Sequence, residues 1–380
     1  QLLALVKKPT SRSITLGGYA GTGKTTLISV LRRELLTLFP EHTIAFAAFT
    51  GKASQVLRIT LEEHQALFPQ DSCTTIHKLL YTPSIDKEGR LLAWKKTATL
   101  DANLLIIDEA SMITDGLWMD LCSFGIPIIA IGDHGQLPPI GGSFNLLQKP
   151  DITLERIHRQ AEGNPILRLA EEARQFGRIT PGTYAKCVRK FSHSVQEAHE
   201  IDQVIDHLFS NYHEDMLILC GRNRTRVQLN QAIRAKQGRE SAEPEAGEKV
   251  VCLKNIYSGV SLPIYNGMTG IIERLNVEEP HWYQAEINFG DDQRIYEGRI
   301  NRSQFHALNL VERIEGIEAK QIGDRFDFGY ALTVHKAQGS QAKTVILFEE
   351  RFEKADDDSW RRWLYTAVTR ARENLYIIGN

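Results

Sequence analysis

"GGYAGTGKTT", from Gly17 to Thr26, decides how the rest of the chain is read. It holds Gly18, four residues, and then Gly23-Lys24-Thr25. Ser13 to Leu16, just before it, is a short β-rich run. Thr25 to Leu38, just after it, repeats Leu27, Val30, Leu31, Leu35 and Leu38 at helical spacing. A glycine-rich turn between strand and helix lets backbone N–H groups approach phosphate oxygens. The lysine then reaches the β- and γ-phosphates, and the hydroxyl after it reaches Mg²⁺. Gly21, Thr22, Gly23, Lys24, Thr25 and Thr26 are therefore expected around the phosphates of a nucleoside triphosphate, with Thr25 on Mg²⁺. The loop alone does not say what the energy of the triphosphate is used for.

Working outward, Thr43 to Phe49, Leu104 to Ile107 and Pro127 to Ile131 are short apolar runs separated by longer segments. Continuous apolar runs suit strands covered on both faces, and their alternation with helices predicts an α/β fold with an open parallel sheet. Ligands of such sheets sit beyond the carboxyl ends of the strands. Asp108-Glu109 follows the run "LLII". Asp108 there suits Mg²⁺, and Glu109 suits orienting or deprotonating the attacking water. "GDHGQLPPI", Gly132 to Ile140, follows the next run. It reads either as a Pro/Gly turn or as a loop in which Gln136 senses a γ-phosphate.

The 380 residues suffice for two or more domains, and 42% hydrophobic with 24% charged residues is ordinary for a globular chain. No apolar stretch of about 18 residues is present, so no membrane span is expected. The five cysteines are dispersed and form no CxxC pair, which points away from zinc and toward a reducing cytoplasm. The formal net charge of -2 excludes nucleic-acid binding through bulk charge. Any such site must be a local track of basic and polar residues.

"GYAGTGKTT", "AAFTGKAS", "TTIHKLL", "LLIIDEASM", "GDHGQLPPI", "LERIHRQ", "YALTVHKAQGSQ" and "LYTAVTRARENLYII" occur in that order. The series resembles the superfamily 1 DNA helicases, in particular the RecD-like (1B) branch in which the Dda helicases fall. The resemblance implies two RecA-like domains with ATP between them: residues 1–160 as the first, and 161–245 with 326–380 as the second. It also implies 5′→3′ movement on single-stranded DNA, unwinding of junctions between single and double strands, and a monomer working beside a single-strand-binding protein or replisome component. A role in replication, recombination or repair in a bacterial or phage-infected cell follows from the likeness alone. By the same likeness Lys24, Glu109 and Gln136 serve catalysis, Arg159 and Arg370 are arginine fingers, and Gln1 reads adenine. Arginine on the transferred phosphate neutralises charge that develops in the transition state.

Two segments interrupt the pattern. Residues 246–325 contain short alternating runs such as "GEKVVCLKN" and "WYQAEINFG", expected as a small antiparallel β unit of SH3-like type. Residues 78–99 read as a β-hairpin around a polar turn. The resemblance implies that this hairpin is a pin that splits the duplex, and Trp94 in it either serves that role or packs the hairpin onto its domain. Strand ends supply the DNA track: Thr50 and Lys52, Thr75 and His77, Pro138, then Thr333, His335 and Lys336. Two rival readings share the ATPase motifs: a translocase that strips proteins without unwinding, and a nucleotide-gated DNA-binding module.

Overall fold

The apolar runs fold into the buried strands of two parallel sheets. The computed structural model describes residues 13–85, 91–139, 144–155, 163–192, 195–256, 260, 264–278, 280–290, 295–318, 321–352 and 355–379. The chain divides into two units: Gln1–Thr82 with Lys95–Gln175 and Gln338–Ser340, and Pro83–Trp94 with Phe176–Ala337 and Gln341–Asn380.

The chain runs through β1 (Ser13–Gly18), α1 (Lys24–Leu38), β2 (Ile44–Ala48), α2 (Gly51–Glu63), β3 (Ser72–Thr75) and α3 (Ile76–Leu80). Then come β4 (Tyr81–Ile85), β5 (Leu91–Lys96), β6 (Leu104–Asp108), α4 (Asp115–Cys122), β7 (Ile128–Gly132), β8 (Ile152–Leu154) and α5 (Pro165–Phe176). Strands β4 and β5 pair with each other in a two-stranded sheet. The remaining strands of the first unit form one parallel sheet in the order β3-β2-β6-β7-β1-β8. Side chains alternate across its two faces. Leu16, Phe46, Ile106 and Ile129 pack with Ile28, Leu31 and Leu35 of α1. Ala45, Ala47, Leu105, Ile107 and Ala130 pack with Leu117 and Leu121 of α4. Burial on both faces is why these strands read as continuous apolar runs.

Register aligns the carboxyl ends. Ala48 lies opposite both Thr75 and Asp108, and Gly17 lies opposite Gly132. The sheet edge therefore carries, in spatial order, Thr75, the turn at Thr50, Asp108-Glu109, the Gly132–Gln136 turn and the phosphate loop. Two strands were not legible beforehand. β3 is the polar tetrapeptide "SCTT", and β8 is the tripeptide "ITL" at the far edge.

The second unit contains β9 (Gly182–Ala185), β10 (Val188–Lys190), α6 (Val195–Ser210), β11 (Met216–Cys220) and α7 (Asn223–Lys236). It continues with β12 (Lys249–Cys252), β13 (Thr269–Glu278), β14 (Trp282–Asn288), β15 (Ile295–Asn301), β16 (Phe326–Phe328), β17 (Ala331–Thr333), β18 (Ala342–Glu349), α8 (Asp357–Val368) and β19 (Ala371–Gly379). One sheet has the order β17-β11-β18-β19-β10-β9, parallel except for the pair β10 and β9. The chain between α7 and β17 forms a separate antiparallel sheet, β15-β14-β13-β12-β16. Val250, Ile272, Tyr283, Ile287, Phe326 and Phe328 of that sheet share a core with Ile218, Leu229 and Ile233. At its margin Arg226 Nη1 of α7 donates to Asp327 Oδ2 of β16 at 2.6 Å, both side chains 2% exposed.

Candidate active site and nucleic-acid contacts

The phosphate loop is shaped by its glycines. Gly21 and Gly23 both hold φ 78°, a left-handed conformation that side chains resist. A Cβ on Gly18 would lie 2.6 Å from Thr22 Oγ1, so the loop closes only on a bare backbone. Tyr19 O is the hub. It accepts from Thr22 Oγ1 at 2.8 Å, from Thr22 N at 3.3 Å and from Lys24 Nζ at 3.0 Å. Lys24 Nζ also donates to Gly18 O at 2.8 Å, so the ammonium lies folded back on its own loop. At the start of α1, Gly23 supplies no side-chain cap and the first turn has no carboxylate. The opening N–H groups of a helix have no partner within it, and its dipole favours an anion there. Bare glycines, a lysine and an uncapped helix start together fit a polyphosphate.

Asp108 and Glu109 end β6. Glu109 has φ 53°, one of three such non-glycine residues among those described. Left-handed backbone costs a non-glycine residue roughly 1–2 kcal/mol. It lets Glu109 N donate to Asp108 Oδ1 at 2.9 Å and starts the 3₁₀ turn Ala110–Met112. Burial pushes the Asp108 carboxyl up to about 6. The Glu109 carboxylate adds to this, while Lys24 opposes it. A carboxylate held at such cost beside a lysine suits a cation. Among the described residues, no group of three or more His, Cys, Asp or Glu would hold a metal alone. Mg²⁺ takes one or two protein ligands together with phosphate oxygens. Thr25 and Asp108 are the protein groups whose chemistry fits it, Thr25 in the first turn of α1 and Asp108 at the end of β6.

The turn after β7 is built on Asp133, which is 1% exposed. Asp133 Oδ1 accepts from Gly135 N at 2.9 Å, and Asp133 Oδ2 accepts from Gln136 Nε2 at 3.4 Å. Gln136 is 6% exposed and its N–H donates to Asp133 O at 3.3 Å. Gln338 Nε2, in a segment belonging to the first unit, donates to Leu137 O at 2.7 Å and to Pro138 O at 3.4 Å. Asp133 and Gln338 went unassigned from sequence, although both lie inside quoted motifs. Nothing in local spacing reveals that their partners are turn amides and carbonyls.

Two threonines expected on the DNA track are helix caps. Thr50 Oγ1 accepts from Ala53 N at 3.1 Å at the start of α2, and Thr75 Oγ1 accepts from Lys78 N at 3.3 Å at the start of α3. Thr75 is only 1% exposed. His77, half-buried, meets Phe49 edge-on at 5.6 Å between ring centroids. In the second unit Thr333 ends β17, and its carbonyl accepts from Lys336 N at 2.9 Å and Ala337 N at 3.1 Å. His335 and Lys336 are half-buried. Burial lowers the His335 imidazole, and it brings the Lys336 ammonium down to about 8, helped by the Arg226 guanidinium. Arg370 is 1% exposed, and its Nε donates to Thr366 O at 3.0 Å. Gln1 and Arg159 lie outside the described residues, as do the side chains of Lys52 and Trp94.

A family model described as an AAA domain matches residues 2–193, half of the chain. The chain belongs to the AAA-domain family. A second model, the UvrD-like helicase C-terminal domain, matches residues 328–378 of this AAA-domain chain. The ATP-dependent RecD2 DNA helicase of Deinococcus radiodurans is 28% identical over 400 residues, covering 97% of this chain and 47% of that protein. The chain thus spans about half the length of that relative. The ATP-dependent DNA helicase dda of Enterobacteria phage T4 is 24% identical over 436 residues, covering 98% of this chain and 95% of that protein. A crystal structure of Pif1 helicase from Bacteroides with ADP-AlF3 and single-stranded DNA aligns at 19% identity and a TM-score of 0.48, over 99% of this chain and 90% of that one. The RecD2 and Dda relatives make this AAA-domain chain a homologue of the RecD-like superfamily 1 helicases. Among the described residues, no helix of it is long and apolar enough to cross a membrane.

Proposed function

We propose that this chain is a DNA-dependent ATPase that moves 5′→3′ along single-stranded DNA and unwinds duplex ahead of it. The order of residues along one sheet edge carries the reading. The phosphate loop, the Gly132–Gln136 turn and Asp108-Glu109 follow three adjacent strands, and Thr50 and Thr75 follow the next two. Nucleotide chemistry and candidate DNA contacts thus share one rigid edge. A shift at one end of such an edge has packed strands through which to reach the other.

In this reading Lys24 exchanges the carbonyls of Gly18 and Tyr19 for phosphate oxygens, a trade of dipoles for full charges. Thr25 and Asp108 hold Mg²⁺, which when bound neutralises charge on the β- and γ-phosphates. Glu109 orients the attacking water and accepts its proton. Gln136 senses the γ-phosphate, and Arg370 and Arg159 offset charge that develops on it. Gln1 reads adenine. Thr50, Lys52, Thr75, His77, Pro138, Thr333, His335 and Lys336 grip the strand. For Thr50 and Thr75, whose hydroxyls already cap helices, the amides of the capped turns are the natural phosphate donors. The sheet β12 to β16 is the SH3-like insertion, and the β4–β5 hairpin with Trp94 is the wedge. The DNA substrate is supported by relatives described as DNA helicases, and the strand polarity by the motif resemblance alone.

ATP hydrolysis measured with and without single-stranded DNA, beside unwinding of duplexes with a 5′ or a 3′ tail, tests the proposal. Stimulated hydrolysis and unwinding from the 5′ tail alone are expected. Hydrolysis indifferent to DNA, or unwinding from the 3′ tail, would overturn it.

A further inference from the structure

Tyr19 joins two parts of the site that no motif connects. Its carbonyl is the hub of the resting phosphate loop, holding Thr22 and Lys24. Its ring meets the His134 ring at 4.3 Å between centroids, tilted by 41°. The guanidinium carbon of Arg174, on α5, stands 4.1 Å from the same ring centroid. His134 is tucked against the end of β1 as well, since a Cβ on Gly17 would lie 2.7 Å from His134 Nδ1. In the chain His134 sits between Asp133 and the Gln136–Pro138 turn that Asp133 and Gln338 hold. Lys24 cannot serve a nucleotide while it rests on Tyr19 O. Its departure changes the hydrogen bonding of the peptide that carries the Tyr19 ring, and that ring is packed on His134.

We propose that His134 and Arg174 are positioning residues, which clamp the Tyr19 ring so that the state of the phosphate loop sets the position of the Gln136–Pro138 turn. The inference rests on the DNA-dependent ATPase reading and adds to it the residues that set how strongly DNA stimulates turnover. A purely structural part for Arg174 is weakly supported. Its ion pair with Glu171 is long, at 3.8 Å, with side chains 30% and 44% exposed, a geometry that contributes little. A guanidinium over an aromatic face is attracted by the ring quadrupole without fixing it as covalent geometry would, which suits a contact that must reset each cycle.

The test uses the full chain with His134→Ala, His134→Phe and Arg174→Met, each checked by thermal unfolding. Hydrolysis is measured without DNA and with saturating single-stranded DNA, across ATP concentration. For Arg174→Met, DNA-free kcat and KM are expected within about twofold of wild type, and for His134→Ala any fall in DNA-free kcat should be smaller than the fall with DNA. DNA-stimulated kcat should fall about fivefold or more, the usual size of a coupling between sites. His134→Phe, which keeps a ring against Tyr19, should restore stimulation. The His134→Ala/Arg174→Met double variant should be no worse than the poorer single, because both act on one ring. An equal fall with and without DNA, stimulation left intact in both single variants, or no rescue by phenylalanine would each overturn the inference. A wild-type chain that ignores DNA would overturn the functional reading itself, and that result appears before any substitution is made.

Discussion

At the residue scale the sharpest conflict is at Asp108, a carboxyl pushed up to about 6 from an ordinary 3.8 chiefly by burial. The folded state therefore holds the proton more tightly than the unfolded state does. The stability this provides is fully present below the ordinary value and is lost as pH rises through about 6. Asp108→Asn cannot ionise and escapes that loss. In Mg²⁺-free buffer the variant should gain on wild type between pH 4 and pH 7.5, by of order 2–3 kcal/mol at 1.36 kcal/mol per pH unit. Thermal unfolding of both proteins across that range checks it, and a difference flat with pH would show that Asp108 ionises without penalty. The candidacy of Lys24, Thr25, Asp108, Glu109 and Gln136 is legible in sequence because each stands at a fixed offset from an apolar run. That of Tyr19, His134, Arg174 and Gln338 is not. Tyr19, His134 and Arg174 meet only because β1, β7 and α5 are brought together, Gln338 reaches Leu137 and Pro138 from the chain after β17, and no spacing along the chain encodes such meetings.

At the scale of elements, the strands beside the site are spaced by what their glycines lack. A Cβ on Gly132, at the end of β7, would lie 2.9 Å from the backbone nitrogens of Ala110 and Ser111 and 2.7 Å from Leu147 Cδ1. Backbone cannot step aside as a side-chain tip can, so β7 and the turn after Glu109 would have to part. Gly132→Ala should cost about 1–3 kcal/mol and lower Tm by roughly 3–8 °C. Gly116→Ala, in α4 with nothing within 4 Å of the added carbon, is the control and should be neutral or slightly stabilising. Calorimetry on the two variants decides it, and an unchanged Tm for Gly132→Ala would mean the approach of β7 to the turn is loose. The buried strands and α1 were readable because double-sided burial leaves an unbroken apolar run. β3 and β8 escaped notice because edge strands three or four residues long carry neither a run nor an alternation. The capping roles of Thr50 and Thr75 are not legible in sequence, because a threonine at a strand end looks the same as a helix cap and as a DNA contact.

At the scale of the whole molecule, the two units differ in how their chain is threaded. The first closes its sheet with short excursions, whereas the second suspends its sheet after α7, builds β12 to β16, and resumes at β17. The Arg226–Asp327 pair fastens α7, which precedes the inserted sheet, to β16 within it, with Asp327 Oδ1 also accepting from the amides of His306 at 3.1 Å and Phe328 at 2.8 Å. Removing one member of a buried pair strands the other charge. Arg226→Met should therefore cost the second unit about 3–5 kcal/mol, and Arg226→Met with Asp327→Leu should recover much of it. Urea unfolding of both variants measures this, and a double variant no better than the single would show that the amides, not the guanidinium, are what Asp327 requires.

The suspension also sets a timetable for synthesis. Met216 of β11 pairs with Thr344 of β18, about 130 residues later in the chain (344 less 216), and Ile218 pairs with Ala331 of β17. At roughly 5–20 residues per second, "MLILC" leaves the ribosome some 6–26 s before both its neighbours exist. Until β17 follows, this strand has two open edges, and until β18 follows it has one. A nascent copy of this chain is most exposed to mispairing then, and a translational pause placed between β16 and β18 would lengthen the exposure without altering a single residue.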